Sequence, residues 1–315
     1  MINNKAGQIV KDVVLTITFS ILYILLVWRF SSLLLMLLPI PFIVIGLRNN
    51  VHVSILAMAI LFTLLNFSID IGFALSTIVI IGPITLAIQF MIRRREGAGR
   101  TLALGALVFL ITIFGLLFYE EASTGVSLIG QMDAGFENML ELQAETLRGL
   151  DMTDMELNRA LALLRTSYDY IVTVMPMILL MISLMTSYLN YKIAAFLINK
   201  TEDETLEVPE FSLFALPGNF IMGTIIMFLA SYVISRLEIP YHGALRQNLS
   251  FVVGFLFLVQ GFSLMDYFLR KIRLGKFFRV LILVVNLALM PIGGILMILG
   301  FADSIFDFRK IRRKA

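Results

Sequence analysis

The feature that most constrains this chain is a succession of apolar runs, each about as long as a bilayer is thick, interrupted by only one long hydrophilic stretch, Glu120 to Thr166. A helix crossing a hydrocarbon core of roughly 30 Å needs about 20 apolar residues, with its backbone hydrogen bonds closed inside the helix. Nine runs meet that test: 13–28, 33–47, two within 53–92 separated at Asn66, Ser68, Asp70 and Gly72, then 101–119, 168–198, 219–234, 249–269 and 277–301. The expected fold is therefore all-α, a polytopic integral membrane protein of about nine transmembrane helices. The hydrophilic stretch forms one extracytoplasmic acidic helical hairpin. A composition of 59% hydrophobic and 15% charged residues, with mean hydropathy +0.92, excludes an ordinary soluble domain. The lipid bilayer is the first expected partner.

Changes in hydropathy divide the chain into 1–119 (five spans), 120–167 (the hairpin), 168–198 (the sixth span), 199–217 (a cytoplasmic connector), 218–302 (three further segments) and 303–315 (a basic tail). The first run, Val13 to Trp28, lacks a small-residue cleavage site and is followed almost at once by another, which fits a retained span. Pro39 and Pro41 predict a bent or broken second span, because each lacks a backbone donor and crowds the preceding turn; Pro83 predicts a kink in the fourth.

Orientation follows from lysine and arginine. With the N-terminus cytoplasmic, the inner side takes Lys5, Lys11, Arg48, Arg93, Arg94, Arg95, Arg100, Lys192, Lys200, Arg270, Lys271, Arg273, Lys276 and Arg279, while the short outer turns take Arg29, Arg236 and Arg246. That bias is what the positive-inside rule requires, and a long loop such as 120–166 crosses with little regard to its charge. Nine crossings would leave the basic tail outside. Either the Pro291/Gly293/Gly294 break turns the last run into a re-entrant hairpin, or the tail is an exception.

The hydrophilic stretch carries nine acids against three arginines. Phe136, Met139, Leu140, Leu147 and Leu150 recur at roughly helical spacing, Gly149 is a plausible breaker, and Thr153-Asp154-Met155-Glu156 fits a capping box opening a second helix with Leu157, Ala160, Leu161 and Leu164 on one face. Asp133, Glu137, Glu141 and Glu145 form an acidic stripe, read as a solvated helix face in preference to a docking face.

Polar groups at membrane depth are the candidate site residues. They are Asn66, Asp70, Gln89, Asn190, Gln260, Asp266 and Asn286. Lining a solute cavity is one reading. The plainer one makes the amides interhelical hydrogen bonds, Asp70 a solvated turn residue and Asp266 the partner of Arg270 one turn away. With no cysteine and two distant histidines, His52 and His242, no cysteine-based metal or redox site is expected; no cofactor and no nucleic-acid partner is expected either. His-Glu-x-x-His, Gly-x-Ser-x-Gly and the Gly-x-x-x-x-Gly-Lys phosphate loop are all missing, which argues against an enzyme.

Several short motifs bring the chain close to a known group: Leu38-Pro39-Ile40-Pro41-Phe42 with Arg48, Pro176 followed by Asn190-Tyr191, Leu216-Pro217, Gly300-Phe301-Ala302-Asp303 and Phe306-Asp307-Phe308-Arg309-Lys310. On these it resembles the YybS family, bacterial multi-pass membrane proteins of unknown function that are distantly similar to the substrate-binding subunits of energy-coupling-factor transporters. The resemblance implies a bacterial cell membrane location and a six-span core, N-terminus inside, that binds a small nutrient from outside. Those subunits dock a membrane partner through Ala-x-x-x-Ala on the first span, where this chain has Thr16-x-x-x-Ser20. Two functions are expected to compete: a protein that binds or helps transport a small solute, with other membrane subunits as partners, and a non-transporting envelope scaffold.

Overall fold

The computed structural model describes residues 2–30, 32–150, 153–201, 205–208, 210–288 and 290–311. Ser31, Asp151 and the tail residues Arg312, Arg313 and Lys314, all invoked in the sequence argument, lie outside them. Among the described residues every regular element is helical. Six helices are long and apolar enough to cross a membrane, and three shorter apolar helices cover 35–48, 220–236 and 294–306.

The chain divides into two compact units. The first comprises Met1–Leu164 with Ile178–Val208. It begins with α1 (Ile2–Phe30), then a 3-10 turn (Ser32–Leu37), α2 (Pro39–Arg48), α3 (Val51–Ser68), α4 (Ile71–Arg93), α5 (Ala98–Thr124) and α6 (Leu128–Arg148). The expected break in the second span falls at Pro39. That proline occupies the first turn of α2, where its missing donor costs nothing, so it starts a helix after the 3-10 turn instead of bending one. By contrast, α4 continues through Pro83. Asn50 and Asp70 cap α3 and α4 by accepting from Val53 N at 3.0 Å and Phe73 N at 2.9 Å, so a capped turn precedes each of these two helices.

Two cores hold this unit. One joins Val13, Ile17 and Ile24 of α1 to Phe42, Ala57, Leu61 and Ile81; the other joins Ile43, Ile84, Ile88 and Phe109 to Tyr191, Ala194 and Ala195. The second core draws on α7 (Asp154–Thr201), 48 residues and about 72 Å long at 1.5 Å per residue. The second arm of the acidic region and the sixth span are therefore one continuous helix. Its start is the expected capping box: Thr153 N donates to Glu156 at 3.0 Å, and Glu156 N donates back to Thr153 Oγ1 at 3.4 Å. Leu157, Ala160, Leu161 and Leu164 share its less exposed face, as their spacing predicts. On α6 the inward face is Met132, Phe136, Leu140, Ala144 and Leu147, whereas Met139 and Leu150 are exposed, contrary to expectation. A four-residue step keeps a side chain on one face; Met139 is a residue off that step, and Leu150 lies beyond the end of α6.

The second unit comprises Arg165–Met177 and Pro209–Ala315. After a 3-10 turn (Phe211–Leu213) it contains α8 (Phe220–Arg236), α9 (His242–Lys271), α10 (Lys276–Ala288) and α11 (Met290–Phe306). What reads in the sequence as one final run of 277–301 is thus two helices, about 20 and 26 Å long. Gly254 faces Met297, Phe257 faces Gly300, Gln260 bonds Asp303 and Ser263 bonds Arg309. Levels advance together along both helices, so α11 runs parallel to α9, and residues 303–309 end beside the C-terminal part of α9. Methyl groups on Gly261 and Gly300 would overlap the Leu296 and Phe257 carbonyls. The backbones of α9 and α11 approach as closely as only glycine allows. Phe257 completes the crossing, edge-on to Phe220 at 5.6 Å and to Phe301 at 5.2 Å.

Candidate functional site

In the first unit, polar side chains gather where α4, α5 and α7 surround the broken second span. Gln89 of α4 is fully buried, and its Nε2 donates to Phe42 O at 2.8 Å and Ser54 Oγ at 3.1 Å; Ser54 itself donates to Phe42 O at 2.9 Å. Asn190 of α7 is equally buried, and its Nδ2 donates to Met36 O at 2.7 Å and Thr186 O at 2.8 Å. Carbonyls can only accept, so these bonds fix which end of each amide points where. The donors are used. Among the described residues Gln89 Oε1 and Asn190 Oδ1 are left with no hydrogen-bond partner, as are Thr85 Oγ1 and Thr186 Oγ1 one turn away on the same helices.

Gly105 of α5 sets the height of this group. A methyl there would stand 3.4 Å from Ile88 of α4 and overlap Ser187 Oγ of α7, which itself donates to Leu102 O at 2.9 Å. Thr85, Gln89, Thr186 and Asn190 each lie within about one helical turn of that level. Four acceptor-capable oxygens, on residues at most 1% exposed, therefore lie within about one turn either side of that level. Leaving such an atom unpaired costs about 1–3 kcal/mol. Buried polar atoms of this kind are commonly satisfied by ordered water.

The second unit concentrates charge instead. Asp303 of α11 and Arg309 form an ion pair at 2.7 Å with side chains 2% and 1% exposed. Arg309 also donates to Ser212 O at 2.9 Å, Phe214 O at 2.9 Å and Ser263 Oγ at 2.7 Å, while Gln260 donates to Asp303 at 2.8 Å and accepts from Leu216 N at 2.8 Å. Ser263 donates on to Phe211 O and Phe214 O. Everything in the network converges on the backbone of residues 211–216. It locks that turn to α9 and α11, since a buried pair is tolerated only when its remaining donors and acceptors are engaged.

The seven sequence candidates thus separate. Gln89 and Asn190 meet around the second span, and Gln260 enters the charged network. Asp266 pairs with Arg279 at 2.8 Å, while Arg270 pairs with Glu210; among the described residues the expected Asp266–Arg270 ion pair does not form, because each partner is taken by a residue outside α9. Asp70 caps α4 and is exposed, Asn66 is half-buried at the end of α3, and Asn286 binds its own helix at Ile282 O, 2.7 Å. Asp303, Arg309, Ser263, Thr85 and Thr186 were not singled out as candidates. In the sequence Arg309 belongs to the basic tail, and an aspartate six residues before an arginine at the close of an apolar run is the available signal. Thr16 and Ser20, the small pair on the first span, are buried against the chain's own core, and Ser20 Oγ donates to Thr16 O at 2.7 Å. That face is not open to a partner.

The description "Predicted membrane protein (DUF2232)" matches residues 14–304, nearly the whole chain. The chain belongs to this family. Across 308 residues, 96% of each chain, it is 20% identical to a DUF2232 relative, the uncharacterised protein YybS of Bacillus subtilis (strain 168). No solved structure matches. The match covers Gln89, Asn190, Gln260 and Asp303 and stops short of Arg309. A DUF2232 protein with these helices contacts the lipid bilayer, and exposed Val14, Phe19, Leu22, Leu25 and Leu26 on α1 are the apolar surface such contact requires.

Proposed function

We propose that the first unit binds a small solute and helps to carry it across the bacterial cell membrane without catalysing a reaction, in the manner of a transporter's substrate-binding subunit. The observation that carries this is the layer of four unpartnered oxygens on Thr85, Gln89, Thr186 and Asn190. Intramembrane polar groups that a protein leaves uncompensated are expensive, and a proline-broken span beside them is the usual lining of a binding cavity. The positive-inside bias places the N-terminus in the cytoplasm. The parallel packing of α9 and α11 supports the re-entrant reading of the last apolar run over the exception to that rule. With Thr16 and Ser20 buried, any coupling subunit docks elsewhere than on that face of α1.

A non-transporting envelope scaffold is the second reading. It is favoured by exposed apolar side chains on the acidic region, Leu142 at 66%, Met155 at 79% and Leu163 at 64%. The two are separated by purifying the tagged chain in mild detergent and applying mass spectrometry to co-purifying proteins and bound small molecules. Solute transport predicts one stoichiometric metabolite, released by Gln89→Leu or Thr85→Val. Envelope-assembly proteins with no ligand would sink it and leave the scaffold.

A further inference from the structure

At the C-terminal end of α9 the second unit opens a cleft of about 380 Å³ lined by Glu210, Ser212, Leu213, Tyr267, Arg270 and Lys271. The volume falls within the range of small-ligand sites. Its lining holds two cations against one carboxylate, beside a phenol and a serine hydroxyl. The floor is rigid, because Ser212 is buried and its carbonyl is held by Arg309.

Basic residues in the last turn of a helix are ordinary on their own, since they complement the helix dipole. Three further observations go beyond that. Arg270 is engaged by Glu210, with Ser212 Oγ at 3.5 Å, so a carboxylate already lies across its guanidinium. Lys271 is exposed and makes no ion pair among the described residues. Arg273, Lys276 and Arg279 follow in the sequence, so basic residues continue beyond the end of the helix. An exposed ion pair such as Arg270–Glu210 is weakly held and exchanges readily for a better anion. A guanidinium fork, an ammonium and two hydroxyls around a small concavity are the donors that a phosphate group takes. The cleft also lies at the end of a helix long enough to cross the bilayer, where headgroups begin.

We propose that this cleft binds a phosphate group through Arg270 and Lys271, with Tyr267 and Ser212 completing the contacts. The same chemistry is offered by the headgroup of an anionic phospholipid and by a soluble phosphate compound. The site lies in a different unit from the solute layer and stands or falls independently of it.

The test uses the full chain in detergent, with phosphatidylglycerol, phosphatidylcholine and inorganic phosphate as separate probes. Native mass spectrometry reads retained lipid, and thermal melting reads phosphate. Lys271→Gln and Arg270→Gln are compared with Arg246→Gln near the start of α9; the first two alter exposed side chains, and size-exclusion profiles check that all three fold. A lipid headgroup site predicts phosphatidylglycerol retention falling about fivefold in Lys271→Gln and Arg270→Gln but not in Arg246→Gln, the loss expected for one cation at a membrane surface. A soluble phosphate site predicts no lipid preference, and a phosphate-induced rise in melting temperature that Lys271→Gln abolishes. If neither lipid nor phosphate binding depends on Arg270 and Lys271, the proposal is overturned.

Discussion

The two units handle buried polarity in opposite ways. Around Gln89 and Asn190 the groups are neutral, their donors are spent on backbone carbonyls, and the acceptors are left over. Around Arg309 the groups are charged, and most of the donors and acceptors find one another within the network, leaving Arg309 Nε unpartnered. Neutral acceptors can remain open at membrane depth at a cost of about 1–3 kcal/mol each, whereas an unmatched ion costs several times more. Openness is therefore physically available to the first unit and denied to the second. That is why the solute reading rests on Gln89 and Asn190, and why Asp303 and Arg309 read as a lock.

The largest expected effect breaks the lock. Arg309→Leu strands the Asp303 carboxylate and should cost about 3–5 kcal/mol, visible as lost monodisperse protein and a lower melting temperature. The double change Asp303→Leu with Arg309→Leu removes both charges and should recover part of that loss. No recovery would show that the bonds to the 211–216 backbone, and not the ion pair, carry the stability.

Next comes the crossing that positions the lock. Gly261→Ala or Gly300→Ala must push α9 and α11 apart and should cost about 1–3 kcal/mol, while Gly115→Ala, with nothing within 4 Å, should be silent in the same melts. Equal responses at Gly115 and Gly300 would mean that the close approach is unimportant.

In the first unit smaller losses are expected. Gln89→Leu should cost about 1 kcal/mol, since Ser54 still donates to Phe42 O, yet it should abolish any solute-induced melting shift. Asn190→Leu abandons Met36 O and should cost more. A shift that survives both changes would remove the functional distinction between the two units.

The smallest effect lies outside the membrane. Hydrogen bonds from Thr153, through its side chain and its backbone, hold the Glu156 carboxyl below the usual carboxylate range. A lowered folded-state pKa means that this contribution is fully present above the ordinary glutamate value and fades as pH falls through the folded value. Protection against hydrogen exchange at 154–158, taken relative to the intrinsic rate at each pH, should fall on acidification in that window, and Glu156→Ala should show low protection at every pH.

The residue pattern by itself determined the all-helical membrane architecture, the break at Pro39, the capping box at Thr153 and the inward face of early α7. Each follows from local physics: run length against bilayer thickness, a missing backbone donor, a reciprocal bond across one turn, and helical period. It also selected Gln89, Asn190 and Gln260, because an amide in an apolar run is conspicuous. Tertiary structure alone decided what those amides do. Gln89 and Asn190 are set by carbonyls 47 and 154 residues away, Arg309 by a carbonyl 97 residues away, and Asp266 by an arginine on a different helix. It also made the final run two helices that return beside α9, through glycines whose value appears only when a second backbone lies against them. Hydropathy measures what a segment does in lipid, and it carries no information about which other segment will supply the partner for a buried polar atom.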